Sequence, residues 1–454
     1  MTTLAEQLAG RICSLSFETL PADVVEHAKR CVLDQLGIQI LGQTLPASQT
    51  AMALARSVGA GPAVSRVPGL GEAVSAPYAA LAGAAFGHSC EFDDCHFLCG
   101  HPGACVIPPA LALSQQEGLG GREFVTAVVA GYEAMVLAVG PIHHNFAMTG
   151  WQGSKIGGVF GAAGASALLL GLGKTQTAHA LAIAGSEASG TLEYDRAGGD
   201  VKRLFPAMAA RSGVEAALLA RSGLTGPLTI LEGERGIHRL FGDGTAPRIE
   251  SIWGTDFHIR EAFFKLEPAA GTHLAPIEAL SYLMTEHELK AEDVAKIVVA
   301  VAPFAVHHGG DTGQPADAVS AQYNLGFSMA LRVVDGNNAI QSYLDPAKWA
   351  DPAIVRVSEA VVVEPLSLEP GESPLGARVD VVCRSGPVLS RRQQTFRGHT
   401  DDPARWEDLE RKFRGLVARR LSTSQTDAIV KAVAELEQLS DVGDLVDLTV
   451  GTSS

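Results

Sequence analysis

The sequence contains no run of eighteen consecutive apolar residues, no block of five basic residues and no Cys-x-x-Cys pair. The first absence predicts a chain without a membrane span. The nearest approach, 159–172, is short and laced with Gly and Ala, and reads as a buried helix. The second absence argues against a nucleic-acid partner, as does a formal net charge of −15. The third removes the commonest ligand spacing for structural zinc and for iron–sulfur clusters, so no metal is expected. The opening Met-Thr-Thr-Leu-Ala-Glu lacks a basic stretch ahead of an apolar one. No signal peptide is read there, and seven Cys, an odd number, fit reduced cytoplasmic thiols better than a disulfide framework. Aromatics are sparse at 6% while Gly reaches 49 residues, which favours helices brought close by small side chains.

What is present begins with helical periodicity. Leu4, Leu8, Ile12 and Leu15 form one stripe, and Val24, Ala28, Cys31, Val32 and Leu36 another after Pro21. Further helices are predicted over 76–86, 108–116, 121–139, 158–170, 175–185 and 207–222. The pattern changes near residue 260. A helix at 275–286 is followed by Lys296-Ile297-Val298-Val299-Ala300-Val301, too short and β-branched for an amphipathic helix. Strands are also read at 360–363, 377–384 and 388–396, the last two joined by the turn Ser385-Gly386-Pro387. Helices at 403–421 and 425–439 close the chain. The fold class is therefore mainly α with an α+β second domain: a helical domain over 1–260, a smaller α+β lid over 261–398, and C-terminal helices over 399–454 returning to the first domain.

The densest polar segment, 88–103, holds three His, three acids and three Cys between two helices, and loops of this kind on a rigid scaffold concentrate function. Cys90, Cys95, Cys99 and Cys105 with His88, His96 and His101 supply enough donors for a metal, but their spacings match no knuckle. A second segment, Gly199-Asp200-Val201-Lys202-Arg203, places two cations in a loop ahead of an Ala-rich helix, whose N-terminus itself favours anions. A carboxylate site is predicted from Lys202 and Arg203. The third, running from Phe264 to His273, lies at the change of composition, where Lys265 is expected to reach a ligand cleft. His273 fits helix packing as well as ligand contact.

In this order the segments resemble the MmgE/PrpD family along nearly the whole chain. The resemblance rests on 85–102, on Thr149-Gly150-Trp151-Gln152 with the small-residue run 158–163, on 200–210 and 265–273, and on Ser320-Ala321-Gln322-Tyr323-Asn324-Leu325-Gly326-Phe327. It implies a helical domain with an α+β lid, a homodimer, and dehydration, decarboxylation or epimerisation of a small carboxylate without metal or organic cofactor. His101 stands at the family's catalytic His, Asp93 and Asp94 at its central Asp pair, and Lys202 and Lys265 at its carboxylate-binding lysines. The chain departs from the pattern at six positions. Glu91 replaces Asp, Cys95 replaces Thr, Gln152 and Phe205 each replace His, Ala270 replaces a polar residue, and Phe327 falls where the decarboxylase has Tyr. Gln keeps hydrogen bonding but cannot titrate.

The expected site accordingly has His101, Glu91, Asp93, Asp94 and Cys95 as the chemical group, with Glu91 or the Asp pair orienting His101 and raising its pKa. Lys202, Arg203, Lys265, Gln152, His96 and His273 are expected to contact substrate. A lyase is predicted, dehydration ahead of decarboxylation, with an isomerase or epimerase as the second reading and a non-catalytic binding homologue as the third.

Overall fold

The computed structural model describes residues 2–59, 64–194, 199–243, 247, 249–254 and 256–451. The chain divides into two compact units, one of residues 1–89, 93–262 and 406–454, the other of 90–92 and 263–405.

The first unit is helical. Its main helices are α1 (Leu4–Cys13), α2 (Ala22–Gly42), α3 (Ala76–Gly87), α4 (Pro102–Glu117), α5 (Gly121–Val139), α6 (Gly153–Leu169), α7 (Lys174–Ser186) and α8 (Val201–Arg221). Thr3 and Glu6 form a capping box at the start of α1, satisfying donors that a helix N-terminus otherwise leaves open. α6 packs against α4, α5, α7 and α8, and its small residues explain how. A Cβ placed on Gly158 would lie 2.6 Å from Cys105 Sγ and 3.0 Å from Ala209 Cβ. The missing side chain is what lets α4, α6 and α8 meet there. The segment continuing α5, 121–143, is long and apolar enough to cross a membrane, yet its most apolar eighteen-residue stretch, of mean hydropathy 1.7, is wholly buried inside the protein.

Three helices start well before the sequence pattern indicates, α6 at Gly153 and two that carry internal prolines. α4 begins at Pro102 and carries Pro108 and Pro109 in its interior, and α8 begins at Val201 with Pro206 inside. Each Pro lacks the N–H that would bond the carbonyl four residues back. Near the start of a helix that loss is confined to the first turns, and the burial of most of both helices offsets it. Lys202 and Arg203 consequently belong to the first turn of α8 rather than to a loop before it.

The second unit is α+β. It contains α9 (Leu274–Glu286), β1 (Val294–Val301), α10 (Leu325–Val334), β2 (Val361–Pro365), β3 (Ala377–Cys383) and β4 (Val388–Gln393). The sheet order is β2-β1-β3-β4, with β1 and β2 parallel and the other pairs antiparallel. The parallel pair needs a long crossover, which the chain between β1 and β2 supplies. β3 alternates buried and half-buried residues, so one face of the sheet is covered; α9 packs on β3 and β4.

The chain then rejoins the helical unit through α11 (Trp406–Val417) and α12 (Thr423–Ala434). α11 lies on α2, and Lys412 Nζ reaches Asp34 Oδ1 at 2.6 Å with both side chains buried. Burial opposes charge on both members and pushes Asp34 up to about 6, so only a matched partner makes either tolerable there.

Candidate active site

The polar segment 88–101 joins α3 to α4, and helix ends fix both of its edges. His88 is the C-cap of α3, and His101 is the residue ahead of Pro102, which opens α4. Within the segment, His96 and Gly100 exchange two backbone hydrogen bonds of 2.7 and 2.9 Å. Gly100 has φ +89°, and a Cβ there would press on Ser154 Oγ in the first turn of α6. That close approach has a use, because the backbone N–H of His101 donates to Ser154 Oγ at 3.0 Å.

Asp93 is fully buried and its Oδ2 faces two imidazoles, His88 Nδ1 at 2.8 Å and His101 Nδ1 at 3.2 Å. The carbonyl of Asp94 lies 3.1 Å from His101 Nδ1, and Cys95 Sγ lies 3.5 Å from it. A nitrogen among such acceptors carries its proton, so Nδ1–H is the donor and Nε2 is the chemically available position. Among the described residues no group hydrogen-bonds that Nε2, and the side chain of His101 is 15% exposed. Burial opposes charging the ring, but the Cys95 sulfur and the Asp93 carboxylate outweigh it and hold His101 well above its ordinary value of 6.5. Asp93 is itself pushed upward by burial, and more strongly downward by its two histidines.

His88 behaves oppositely. Burial lowers its pKa to about 4, so the ring is neutral, donates from Nδ1 to Asp93, and leaves a buried Nε2 with no hydrogen-bond partner. Lys202 is close enough to add to that lowering, and Arg203 Nη1 approaches the His88 carbonyl at 3.5 Å. Lys202 and Arg203 are both buried in the first turn of α8, which contains no acidic residue. Cations at that end oppose the helix dipole, an arrangement that an anion would relieve.

The remaining sequence-predicted residues have other engagements. Glu91, in the second unit, pairs with Lys265 Nζ at 2.9 Å, so the carboxylate that orients His101 is that of Asp93. The side chain of Asp94 accepts from Gly103 N–H at 3.0 Å and Tyr132 Oη–H at 2.6 Å. It caps α4 rather than facing His101. Burial raises Asp94 to about 7, against the Tyr132 hydrogen bond, with Asp34 and Asp93 adding to the rise. Gln152 is the N-cap of α6, its Oε1 accepting from the N–H groups of Ser154 and Lys155. His96 and His273, expected as substrate contacts, each have both ring nitrogens engaged within the fold. His96 Nε2 lies 3.1 Å from the His258 carbonyl and its Nδ1 accepts from Leu98 N–H. His273 Nε2 lies 2.8 Å from the Gly309 carbonyl and its Nδ1 3.1 Å from Ser328 Oγ. Burial drives each to about 4 and keeps both rings neutral.

Two groups of described residues bring three metal-capable atoms within 4.8 Å of one another: His88, Asp93 and His101, and His96, His258 and Glu261. In the first, both Nδ1 atoms already face one Asp93 oxygen. In the second, His96 has both nitrogens engaged, and His258 Nε2 lies 2.8 Å from the Ile252 carbonyl. Sequence reasoning singled out His88 only as a possible metal donor. Its place directly behind the Ala-rich helix and ahead of the acidic run was the available signal. Ser154 and Tyr132 carried none, since each belongs to a helix distant in sequence.

A buried carboxylate holding an imidazole by one nitrogen, on a helical scaffold in a chain that also has an α+β unit, is an arrangement suited to proton transfer. The MmgE/PrpD N-terminal domain matches residues 6–250 and the MmgE/PrpD C-terminal domain residues 268–438. The chain belongs to the MmgE/PrpD family. It is 27% identical to a human cis-aconitate decarboxylase, with all of this chain and 96% of the relative aligned. It is 26% identical to a cis-aconitate decarboxylase-like protein of Aspergillus oryzae, covering 98% and 97%, and 24% identical to a cis-aconitate decarboxylase of Aspergillus terreus, covering 96% and 93%.

Proposed function

We propose that the protein is a lyase that removes CO2 from a small carboxylic acid, with every step carried by its own side chains. The observation that carries this reading is His101: Nδ1 turned to buried Asp93, Nε2 without a partner among the described residues, and a pKa raised by the Cys95 sulfur and the Asp93 carboxylate against burial. Lys202 and Arg203 hold the carboxylate that stays on the substrate. When the departing carboxyl group leaves as CO2, the electron pair of the broken C–C bond is left on the carbon and spreads toward that held carboxylate, where the two cations stabilise it. His101 then gives its Nε2 proton to the carbon, forming the C–H bond and becoming neutral while Asp93 keeps the Nδ1 proton in place.

The names of the relatives favour decarboxylation, which moves ahead of the dehydration expected first. The charge state of the cluster supports the same order. Dehydration and epimerisation require a base to remove a proton from carbon before any acid acts. The second imidazole, His88, has a pKa of about 4 and lies fully buried, which makes it a poor base.

The test is turnover in D2O over a panel of small mono-, di- and tricarboxylic acids, with CO2 release and product mass followed together. One solvent deuteron per CO2 is expected on the carbon that lost its carboxyl group. His101→Gln should lower turnover by about 10²–10⁴-fold, the usual contribution of a positioned acid or base. Water loss without CO2, or an undiminished H101Q, would overturn the proposal.

A further inference from the structure

Tyr132, in α5, is fully buried, and a buried hydroxyl requires a hydrogen-bond partner. Its Oη–H donates to Asp94 Oδ2 at 2.6 Å, the length of a bond to a carboxylate. Burial and the neighbouring Asp94 charge push the phenol far above its ordinary value, so the hydroxyl keeps its proton and stays the donor. The same hydroxyl interacts with the Cys31 thiol of α2. The other Asp94 oxygen, Oδ1, accepts from Gly103 N–H at 3.0 Å. Residue 103 has to be glycine for this, because a Cβ there would press on Asp94 Oδ1 and stand 3.1 Å from Tyr132 Oη. Both carboxylate oxygens of Asp94 are thus held, one by α5 and one by the first turn of α4.

The backbone of Asp94 reaches His101. Three acceptors stand before His101 Nδ1: the Asp94 carbonyl at 3.1 Å, Asp93 Oδ2 at 3.2 Å and Cys95 Sγ at 3.5 Å. The carbonyl is the nearest of the three, and Asp93 Oδ2 lies closer to His88 than to His101. Asp94 therefore grips His101-Pro102-Gly103 at both ends, by its carbonyl at the ring and by its carboxylate at the Gly103 N–H. Pro102, between them, has no N–H to add. From this geometry we propose that Tyr132 is a positioning residue for His101. By fastening the Asp94 carboxylate to α5 it keeps the Asp94 carbonyl in place as an acceptor of His101 Nδ1–H, and so keeps Nε2 aimed at the reacting carbon. The inference rests on the lyase reading above and deepens it.

The experiment pairs proton NMR of the full chain with kinetics. The His101 Nδ1–H resonance is assigned by its loss in His101→Gln, and its exchange with water is followed in the native protein and in Tyr132→Phe. A ring N–H held by an acceptor exchanges slowly, and a loosened one exchanges faster. Exchange should quicken about tenfold or more in Y132F, the scale of one lost bond to a charged group. On the acid that proves to be the substrate, kcat should fall about 10²-fold with KM within about threefold, the signature of a misplaced group rather than of lost binding. A folded Y132F with native exchange overturns the inference, and so does faster exchange with native kcat. If Y132F does not fold, a fluorotyrosine at position 132 keeps the hydroxyl and strengthens its donation. The His101 ring-proton resonance should then shift, and an unmoved resonance overturns the inference. If no acid is turned over, the lyase reading falls by itself, while faster exchange in Y132F still upholds the hold of Tyr132 on His101.

Discussion

His88, Asp93 and His101 on one side, and His96, His258 and Glu261 on the other, are two groups of the same composition in the same helical unit. They differ in what surrounds the carboxylate and in what remains on the rings. Asp93 is fully buried and shared by two imidazoles, whereas the side chain of Glu261 is 51% exposed and lies 3.3 Å from His258 and 3.7 Å from His96. Among the described residues, the first group leaves His101 Nε2 without a hydrogen-bond partner. In the second, every ring nitrogen has a carbonyl, an N–H or the Glu261 carboxylate beside it. Composition and proximity therefore do not separate a cluster with an available ring nitrogen from one whose nitrogens are all engaged. The depth of the carboxylate does.

The sharpest way to break this contrast is Asp93→Asn. Asn can still accept from Nδ1–H but offers no charge, so only the Cys95 sulfur would then oppose burial and the His101 pKa should fall. Turnover is expected to fall by about 10²–10⁴-fold, and the alkaline limb of the rate–pH profile should move to lower pH. The stability effect has a definite window. His101 is raised in the fold, so its contribution is fully present below its unfolded value near 6.5 and is lost as pH rises through the folded value. Asp93 is depressed, so its contribution is present above its unfolded value near 3.8 and is lost as pH falls through the folded value. D93N should flatten both arms in denaturant titrations run across pH. An unmoved alkaline limb would show that Asp93 does not set the charge on His101.

A smaller effect, and of opposite sign in pH, is expected for His88→Phe. The ring volume is nearly kept, while the Nδ1–H donor to Asp93 is removed. Asp93 then serves His101 alone and becomes the stronger acceptor, so the alkaline limb should move to higher pH. The lost hydrogen bond to a charged group should cost about 1.5–3 kcal/mol of stability. Loss of stability with an unshifted limb would make His88 a packing residue only.

The two clusters also show how far the sequence could be read. The segment 88–103 was legible as the functional loop because its polarity is local and its flanking helices are strongly periodic. The helical core, the hairpin of β3 and β4 and the return of α11 followed from the same periodicity. The helix starts at Pro102 and Val201 were not legible, because internal prolines imitate an N-terminus and only the packing of α4 and α8 overrides them. The parallel pairing of β1 with β2 was hidden as well, since no local signal links strands some sixty residues apart. Within the site, residue types pointed to His101 and the Asp pair, but which carboxylate faces the ring depends on where each backbone turns. The one-residue steps from Glu91 to Asp94 send these acids to Lys265, His101 and the start of α4, and no composition rule encodes that choice. His96 and His273 were expected beside substrate, and it is their bonded ring nitrogens, invisible in sequence, that set them apart from His101.

The smallest effect belongs to the second cluster and tests the contrast from its quiet side. Burial disfavours the charged form of His258, yet the Glu261 hydrogen bond and the Glu133 charge raise its pKa, and Glu261 is lowered chiefly by the same His258 bond. Half-exposed Glu261 is screened by water, so Glu261→Gln should change stability by only about 0–1 kcal/mol. The wild-type rate and pH limb should persist, because the amide can still face His258 and no ring nitrogen becomes available to a ligand. Circular dichroism melts and a rate–pH profile on E261Q decide the matter. A shifted alkaline limb would mean that the two clusters titrate together, and that an unclaimed ring nitrogen is not what distinguishes them.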